Sequence, residues 1–232
     1  MNIKNNLIAH RGMFNNKDIP ENSYLAFKEA IRNEYDFELD IHLTRDNELV
    51  VFHDYNLKRM CNVDINVQET TYEELLRYNL LNTKEKIPLL RDILKLNKDR
   101  SLVDIEIKNT KRIKQTVYFL VKELENYNNY VVKSFNPRII RYIRKNYPKI
   151  ECGLLLTHDY KNMLYNLLLR RKFMIRYSKA NFIAIDKILY NRDQYKDLKM
   201  PIFVWNIKNK DEIIIDKDVI NVCNNLPVKK KY

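Results

Sequence analysis

Apolar and polar residues alternate strictly from Asp36 to His42. Phe37, Leu39 and Ile41 fall on one face, and Asp36, Glu38, Asp40 and His42 on the other. A period of two is the mark of a strand, but here the polar face carries acid. Asp46-Asn47 then separates this run from a second β-patterned run, Glu48 to Asp54, so the pair predicts a hairpin with a two-residue turn. That register sets Thr44 opposite Leu49, His42 opposite Val51 and Asp40 opposite His53, with directly opposed Cβ atoms about 5 Å apart. The bland alternative is a hairpin whose outer face is simply solvated.

The rest of the chain alternates short strands with helical patterns. Leu7 to His10 is an apolar run, after which Asn22 is placed to cap a helix burying Phe27, Ala30 and Ile31. Tyr55 to Lys86 is a small insert of local structure containing a capping box, Thr71 with Glu74, and Pro88 suits the first turn of the following helix. Leu102 to Lys108 is a second strand with a charged face, Asp104, Glu106 and Lys108, opposite Val103, Ile105 and Ile107. An amphipathic helix follows over Lys111 to Asn126. Val131 to Phe135 is a strand, and Asn136-Pro137 opens a helix. Further strands are expected at Cys152 to Leu156, Phe182 to Asp186, Ile202 to Ile207 and Val219 to Cys223, with helical patterns near 160 to 173 and 209 to 216. Such alternation predicts an α/β protein, a closed parallel barrel wrapped by helices, whose site lies at the carboxyl ends of the strands.

In a barrel the acidic faces become informative. Inward positions normally hold branched aliphatics, so Glu38, Asp40 and Glu106 in one interior would repel one another and be desolvated. A divalent cation relieves this, and all-oxygen ligands favour Mg²⁺ or Ca²⁺ over zinc. Pairing of one acid with Lys108 or Arg11 is the alternative.

Composition adds limits. The 232 residues suit one domain, since no Pro/Gly/Ser-rich linker interrupts them. No run of about eighteen apolar residues suggests a transmembrane segment, and the N-terminus does not read as a secretion signal. Three cysteines, Cys61, Cys152 and Cys223, lack zinc-site spacing and read as reduced thiols, which favours a cytoplasmic location. The formal charge of +12 is dispersed, apart from Lys229-Lys230-Lys231. It therefore predicts weak attraction to membrane surfaces and no specific nucleic-acid partner. Glycine is nearly absent, with only Gly12 and Gly153, and asparagine is expected in its turn positions. Gly12, directly after His10-Arg11, implies positive φ or a close backbone approach.

His10-Arg11-Gly12, Pro20-Glu21-Asn22-Ser23 with Ala26-Phe27, Glu38-Leu39-Asp40-Ile41, Thr44 with Asp46, Val51-Phe52-His53-Asp54, Ile87-Pro88 and Ile105-Glu106-Ile107-Lys108 together resemble the glycerophosphodiester phosphodiesterase family. The likeness continues weakly at Ser134-Phe135 and Val204-Trp205. It implies a TIM (β/α)8 barrel over residues 1–232, with the insert near 55–86, that splits a small-molecule glycerophosphodiester into glycerol 3-phosphate and an alcohol. By the same resemblance His10 and His53 are the acid/base pair, Glu38, Asp40 and Glu106 hold one divalent cation, and Arg11 and Lys108 hold phosphate. The family's route, attack by the glycerol 2-hydroxyl through a cyclic phosphate, leaves open which histidine is base, with His53 the provisional choice. Trp205 either stacks on substrate or plugs the barrel, His42 is placed to line the entrance, and His158 is placed on the surface. Asn206 and Asn224-Asn225 depart from the family pattern and put the substrate pocket in question. Oligomeric state and head-group preference are not readable. Two other functions fit the same residues: a phospholipase D-type hydrolase of lysophospholipids, and a non-catalytic binder of anionic polymers.

Overall fold

The computed structural model describes residues 6–157, 171–190 and 199–228. The strands are β1 (Leu7–Ala9), β2 (Asp36–Leu43), β3 (Leu49–Val51), β4 (Val103–Ile107), β5 (Tyr130–Ser134), β6 (Cys152–Leu156), β7 (Phe182–Asp186), β8 (Ile202–Ile207) and β9 (Val219–Cys223). The helices are α1 (Tyr24–Arg32), α2 (Lys58–Cys61), α3 (Tyr72–Leu75), α4 (Leu90–Asn97), α5 (Ile113–Leu124), α6 (Pro137–Asn146) and α7 (Arg171–Ser178). β1 pairs in parallel with both β2 and β9, and the remaining parallel pairs run β9-β8-β7-β6-β5-β4-β2. Eight parallel strands therefore close into a (β/α)8 barrel, and β3 hangs antiparallel on β2 outside the ring.

The alternation read along the strands separates two cores. Leu39, Ile41, Ile105, Val132, Leu154 and Ile183 point outward and pack beneath helix residues such as Phe27, Ile93, Val117 and Ile139. Ile8, Leu102, Val131, Phe182, Phe203 and Val222 point inward and form an apolar plug. Gly153 leaves room for that plug, because a Cβ there would lie 2.1 Å from the Phe182 ring. Asp36, at the start of the acidic face, accepts a 2.7 Å hydrogen bond from the Leu102 amide and so closes the strand ends instead of joining the site.

The hairpin register differs from the expectation by one residue. His42 pairs with Val50 and Leu43 with Leu49, while Asp40 faces Phe52, whose amide donates to the Asp40 carbonyl. The loop holds three residues, 45 to 47, because Asn47 adopts a left-handed φ of 70° and Thr44 closes it by bonding Glu48. Asp40 is thus not opposite His53. β3 ends at Val51, whose amide bonds the Pro88 carbonyl, and His53 leaves the ladder.

Local chemistry explains three smaller differences. Ser23, not Asn22, caps α1, accepting from the Ala26 amide. α4 starts at Leu90, two residues beyond Pro88. Residues 209 to 216 form only a 3-10 turn at Lys210–Glu212, since Ile213, Ile214 and Ile215 are consecutive and offer no helical stripe, and the Asn221 side chain brackets the Ile214 backbone instead. The capping box at Thr71 and the Asn136-Pro137 helix start form as expected. The insert has its own small core of Leu57, Met60, Val67, Leu75 and Leu80. His158, the basic run at 229 to 231 and most of the helical pattern at 160 to 173 lie outside the described residues, and α7 is described over Arg171–Ser178.

Asparagine does take over turn duties: among the described residues, seven of the fourteen non-glycine positions with positive φ are asparagines. Gly12 itself has φ of 79°, and a Cβ there would sit 2.8 Å from the Ala26 backbone, so the close approach is to α1. Gly12→Ala should therefore lose at least about 1–2 kcal/mol of stability from the left-handed backbone alone. Urea unfolding of the two proteins measures this, and equal midpoints would contradict it.

Candidate active site

The carboxyl ends of β1, β2 and β4 bring the predicted residues together. Parallel register places Asp40 beside Glu106 and Glu38 beside Asp104. Glu38, Asp40 and Glu106 are all buried, and each offers an oxygen within 4.8 Å of the others'. Positive groups surround them. Lys108 Nζ lies 3.2 Å from Asp40 Oδ1 and 2.7 Å from Glu106 Oε1, and Arg11 Nε lies 3.5 Å from Asp40 Oδ2. The Arg11 amide donates to Glu38 Oε2 at 3.0 Å, and Asn22 Nδ2 donates to Asp40 Oδ2 at 2.9 Å.

These charges do not balance evenly. Burial would raise the Asp40 carboxyl, but Lys108, His53 and Arg11 hold it well below the usual carboxylate range. Glu38 goes the other way: burial, reinforced by Asp40 and Glu106 against the opposing charge of Lys133, pushes it up to about 7. Burial is the largest cause, so the shift marks Glu38 as a desolvated carboxylate. Three convergent, buried oxygen donors are the ligand set a hard divalent cation takes, and Lys108 also pairs with two of them, Asp40 and Glu106.

The two histidines flank the acids and differ in their partners. His10 Nδ1 is 2.5 Å from Asn224 Oδ1, which fixes the proton on Nδ1 and leaves the Nε2 lone pair toward Glu38, 3.8 Å away. Burial and then Arg11 depress His10 to about 3, so its ring is neutral. His53 Nδ1 instead meets a carboxylate, Asp54 Oδ1, at 2.6 Å. His42 is buried, 1% exposed, and does not line the entrance; its Nδ1 accepts from Gln68 Nε2 and its ring packs edge-on to Tyr55. Trp205 packs edge-on to Phe135 and joins the apolar plug from its partly buried side, with no hydrogen-bond partner for Nε1 among the described residues.

Arg59 of the insert ties these parts together. Its Nε bonds Asp54 at 2.7 Å, and its two terminal nitrogens grip both oxygens of Glu21, which also accepts from Arg11 at 2.7 Å. Burial opposes ionisation of Glu21, but Arg59 and Arg11 bring it down from 4.5 to about 2. A carboxyl depressed by folding stabilises fully above its unfolded value, and that contribution disappears as pH falls through the folded one. Arg59→Met should therefore be less stable than wild type above pH 4.5, and the difference should shrink as pH drops toward 2, the Arg59 bond to Asp54, a carboxyl held lower still, keeping the remainder. Urea midpoints at stepped pH test this, and a constant difference would refute it.

Several site residues escape sequence reading. Asn22 reads as a helix cap, yet its left-handed φ of 56° turns the side chain onto Asp40. Asn224 stands as a departure from the family pattern and proves to be the partner of His10. Asn206 occupies a bulge in β8 with φ of 68°, so its role is in the backbone, and Asn225 bonds the Lys208 carbonyl. Lys133, alternating inward from β5, is buried against Asp104 and Glu38. A charge at an inward strand position was the available signal for it.

Comparison with known proteins identifies the family and the fold. The model of the glycerophosphoryl diester phosphodiesterase family matches residues 10–228. A glycerophosphodiester phosphodiesterase of Caldanaerobacter subterraneus is 34% identical over 165 residues, 66% of this chain and 67% of that protein. One from Bacillus altitudinis is 33% identical over 162 residues, 64% of this chain and 65% of its own length. Among solved structures, an Oleispira antarctica phosphodiesterase in complex with the product sn-glycerol-3-phosphate superposes with a TM-score of 0.76. At 18% identity over 94% of this chain and 92% of that one, it shows the shared fold.

Proposed function

Because the chain belongs to the glycerophosphoryl diester phosphodiesterase family and is an enzyme of that class, we propose that it hydrolyses a glycerophosphodiester to glycerol 3-phosphate and an alcohol in a metal-dependent reaction. The observation that carries this reading is the convergence of Glu38, Asp40 and Glu106 between two histidines, each with a fixed Nδ1 partner. The three carboxylates would hold Mg²⁺ or Ca²⁺, which when bound supplies neutralisation of phosphate oxygen charge. Arg11 and Lys108 add to that field at the substrate phosphate, and Trp205 with Phe135 offers an apolar wall for the glycerol or head group.

The charges close. The cation with Arg11, Lys108 and Lys133 gives 2 + 3 = +5 against −4 from Glu38, Asp40, Asp104 and Glu106. The resulting +1 matches a phosphodiester monoanion.

The histidine partners suggest the proton path. His10, neutral with a free Nε2, takes the proton of the glycerol 2-hydroxyl as it attacks phosphorus. His53, whose Nδ1 is held by the Asp54 carboxylate, is oriented to give a proton to the leaving alkoxide. In the second half the roles exchange: His53 takes a proton from water and His10 returns one to the 2-oxygen as the cyclic phosphate opens. This reverses the provisional order. The three free thiols suit a cytoplasmic location, and no helix among the described residues is long and apolar enough to cross a membrane.

The test is release of glycerol 3-phosphate from a panel of glycerophosphodiesters and one lysophospholipid, with chelator, Mg²⁺ or Ca²⁺. Metal-dependent release from the water-soluble diesters is expected. Release only from the lysophospholipid would move the substrate class to lipids, and no release from any would refute the reading.

A further inference from the structure

Beneath the acidic cluster the barrel holds a third cationic side chain, Lys133, beyond Arg11 and Lys108. Lys133 lies on β5 between Val131 and Phe135, residues that face the apolar plug, so its side chain enters the interior and is 1% exposed. Its Nζ is 2.6 Å from Asp104 Oδ2 and 3.4 Å from Glu38 Oε1. Burying an ammonium and a carboxylate is costly, and a packed apolar pair of similar volume is commonly as stable or more so. Stability alone therefore does not account for placing this pair inside the barrel.

Its position does. Glu38 is gripped at both oxygens, Oε1 by Lys133 and Oε2 by the Arg11 amide. Asp104, one strand over and in register with Glu38, anchors Lys133 from the other side. Groups that hold a metal ligand from behind fix its orientation, and losing them typically lowers metal affinity about 10–100-fold. The row Asp104, Lys133, Glu38 is such an arrangement, with the charges of Lys133 and Asp104 cancelling in its net effect on a distant ion.

We propose that Lys133, anchored by Asp104, is a positioning residue that orients Glu38 for the divalent cation. This rests on the metal reading of the site given above. Lys133 does not touch the reacting atoms, and its effect runs through Glu38.

The test is the double variant Lys133→Met with Asp104→Asn, which removes both charges and leaves neutral groups of similar size. Titration calorimetry with Mg²⁺ and Ca²⁺ gives the Kd, and melting with chelator reports on the fold. The expected result is a metal Kd raised at least about tenfold with a melting temperature close to that of chelated wild type. A purely packing role would leave Kd unchanged, and simple repulsion of the metal by Lys133 would leave it unchanged or tighten it. Either outcome overturns the proposal. Should the double variant fail to fold, Lys133→Met alone carries the test: losing a positive charge would by itself tighten metal binding, so a raised Kd reports lost positioning of Glu38, and an unchanged or lower value overturns the proposal. Absence of any metal binding by wild type would refute the metal reading itself and this inference with it, whereas equal affinities in wild type and variant would refute only the inference.

Discussion

His10→Ala and His53→Ala should each lower turnover by about 10²-fold or more while leaving the fold intact, because each removes a proton-transfer group from a site whose other parts remain. The two losses should respond differently to the substrate. If His53 protonates the leaving alkoxide, a diester whose leaving group is a stable phenolate, such as a nitrophenyl ester, should recover much of the rate in His53→Ala. His10→Ala should gain nothing, since the 2-hydroxyl still needs a base. Rescue of His10→Ala instead would exchange the assigned roles, and near wild-type turnover in either folded variant would remove that histidine from the mechanism. Asp54→Asn should fall between wild type and His53→Ala, because His53 remains but loses the carboxylate that orients its ring.

Glu106→Gln should abolish metal-dependent activity and most of the stability that metal confers. A ligand that binds only the folded protein stabilises it by about 2.7 kcal/mol at a hundredfold excess over its dissociation constant. Wild type should show that gain on adding Mg²⁺ or Ca²⁺, and the variant should not. With chelator present the variant should melt no lower than wild type. Glu106 is one of the charges that push Glu38 upward, so neutralising it eases the repulsion, and Lys108 keeps Asp40 as a partner at 3.2 Å. Paired melting curves with chelator and with metal decide this. If wild type shows no metal-dependent shift, or if Glu106→Gln melts well below chelated wild type, Glu106 serves its 2.7 Å ion pair with Lys108 and the metal reading fails.

Much of this protein is written locally. The alternation through Asp36 to His42 and Leu102 to Lys108 set which residues face inward, and a strict period of two leaves no freedom once the other face carries Leu39, Ile41 and Ile105. The four late strands, the capping box at Thr71 and the Asn136-Pro137 start depend on residues within a few positions of one another, so they were legible. The acidic trio was legible for the same reason, because inward acids on two strands must meet if those strands share a barrel. What the chain alone did not determine is which atoms touch. The hairpin register turned on the single residue Asn47 taking a left-handed backbone, a choice made jointly with Thr44, Glu48 and Arg112, the residue before α5. Asn22 was free to cap a helix or reach Asp40, and Ser23 beside it satisfied the helix. His10 acquires its partner from Asn224, 214 residues away, only because β1 closes the barrel against β9. Lys133 meets Asp104 and Glu38 only across the barrel interior. Periodicity is a property of neighbours in sequence and survives in the chain by itself, whereas tautomer, ion-pair partner and ligand orientation are set by distances of about 3 Å that exist only after the ring of strands has closed.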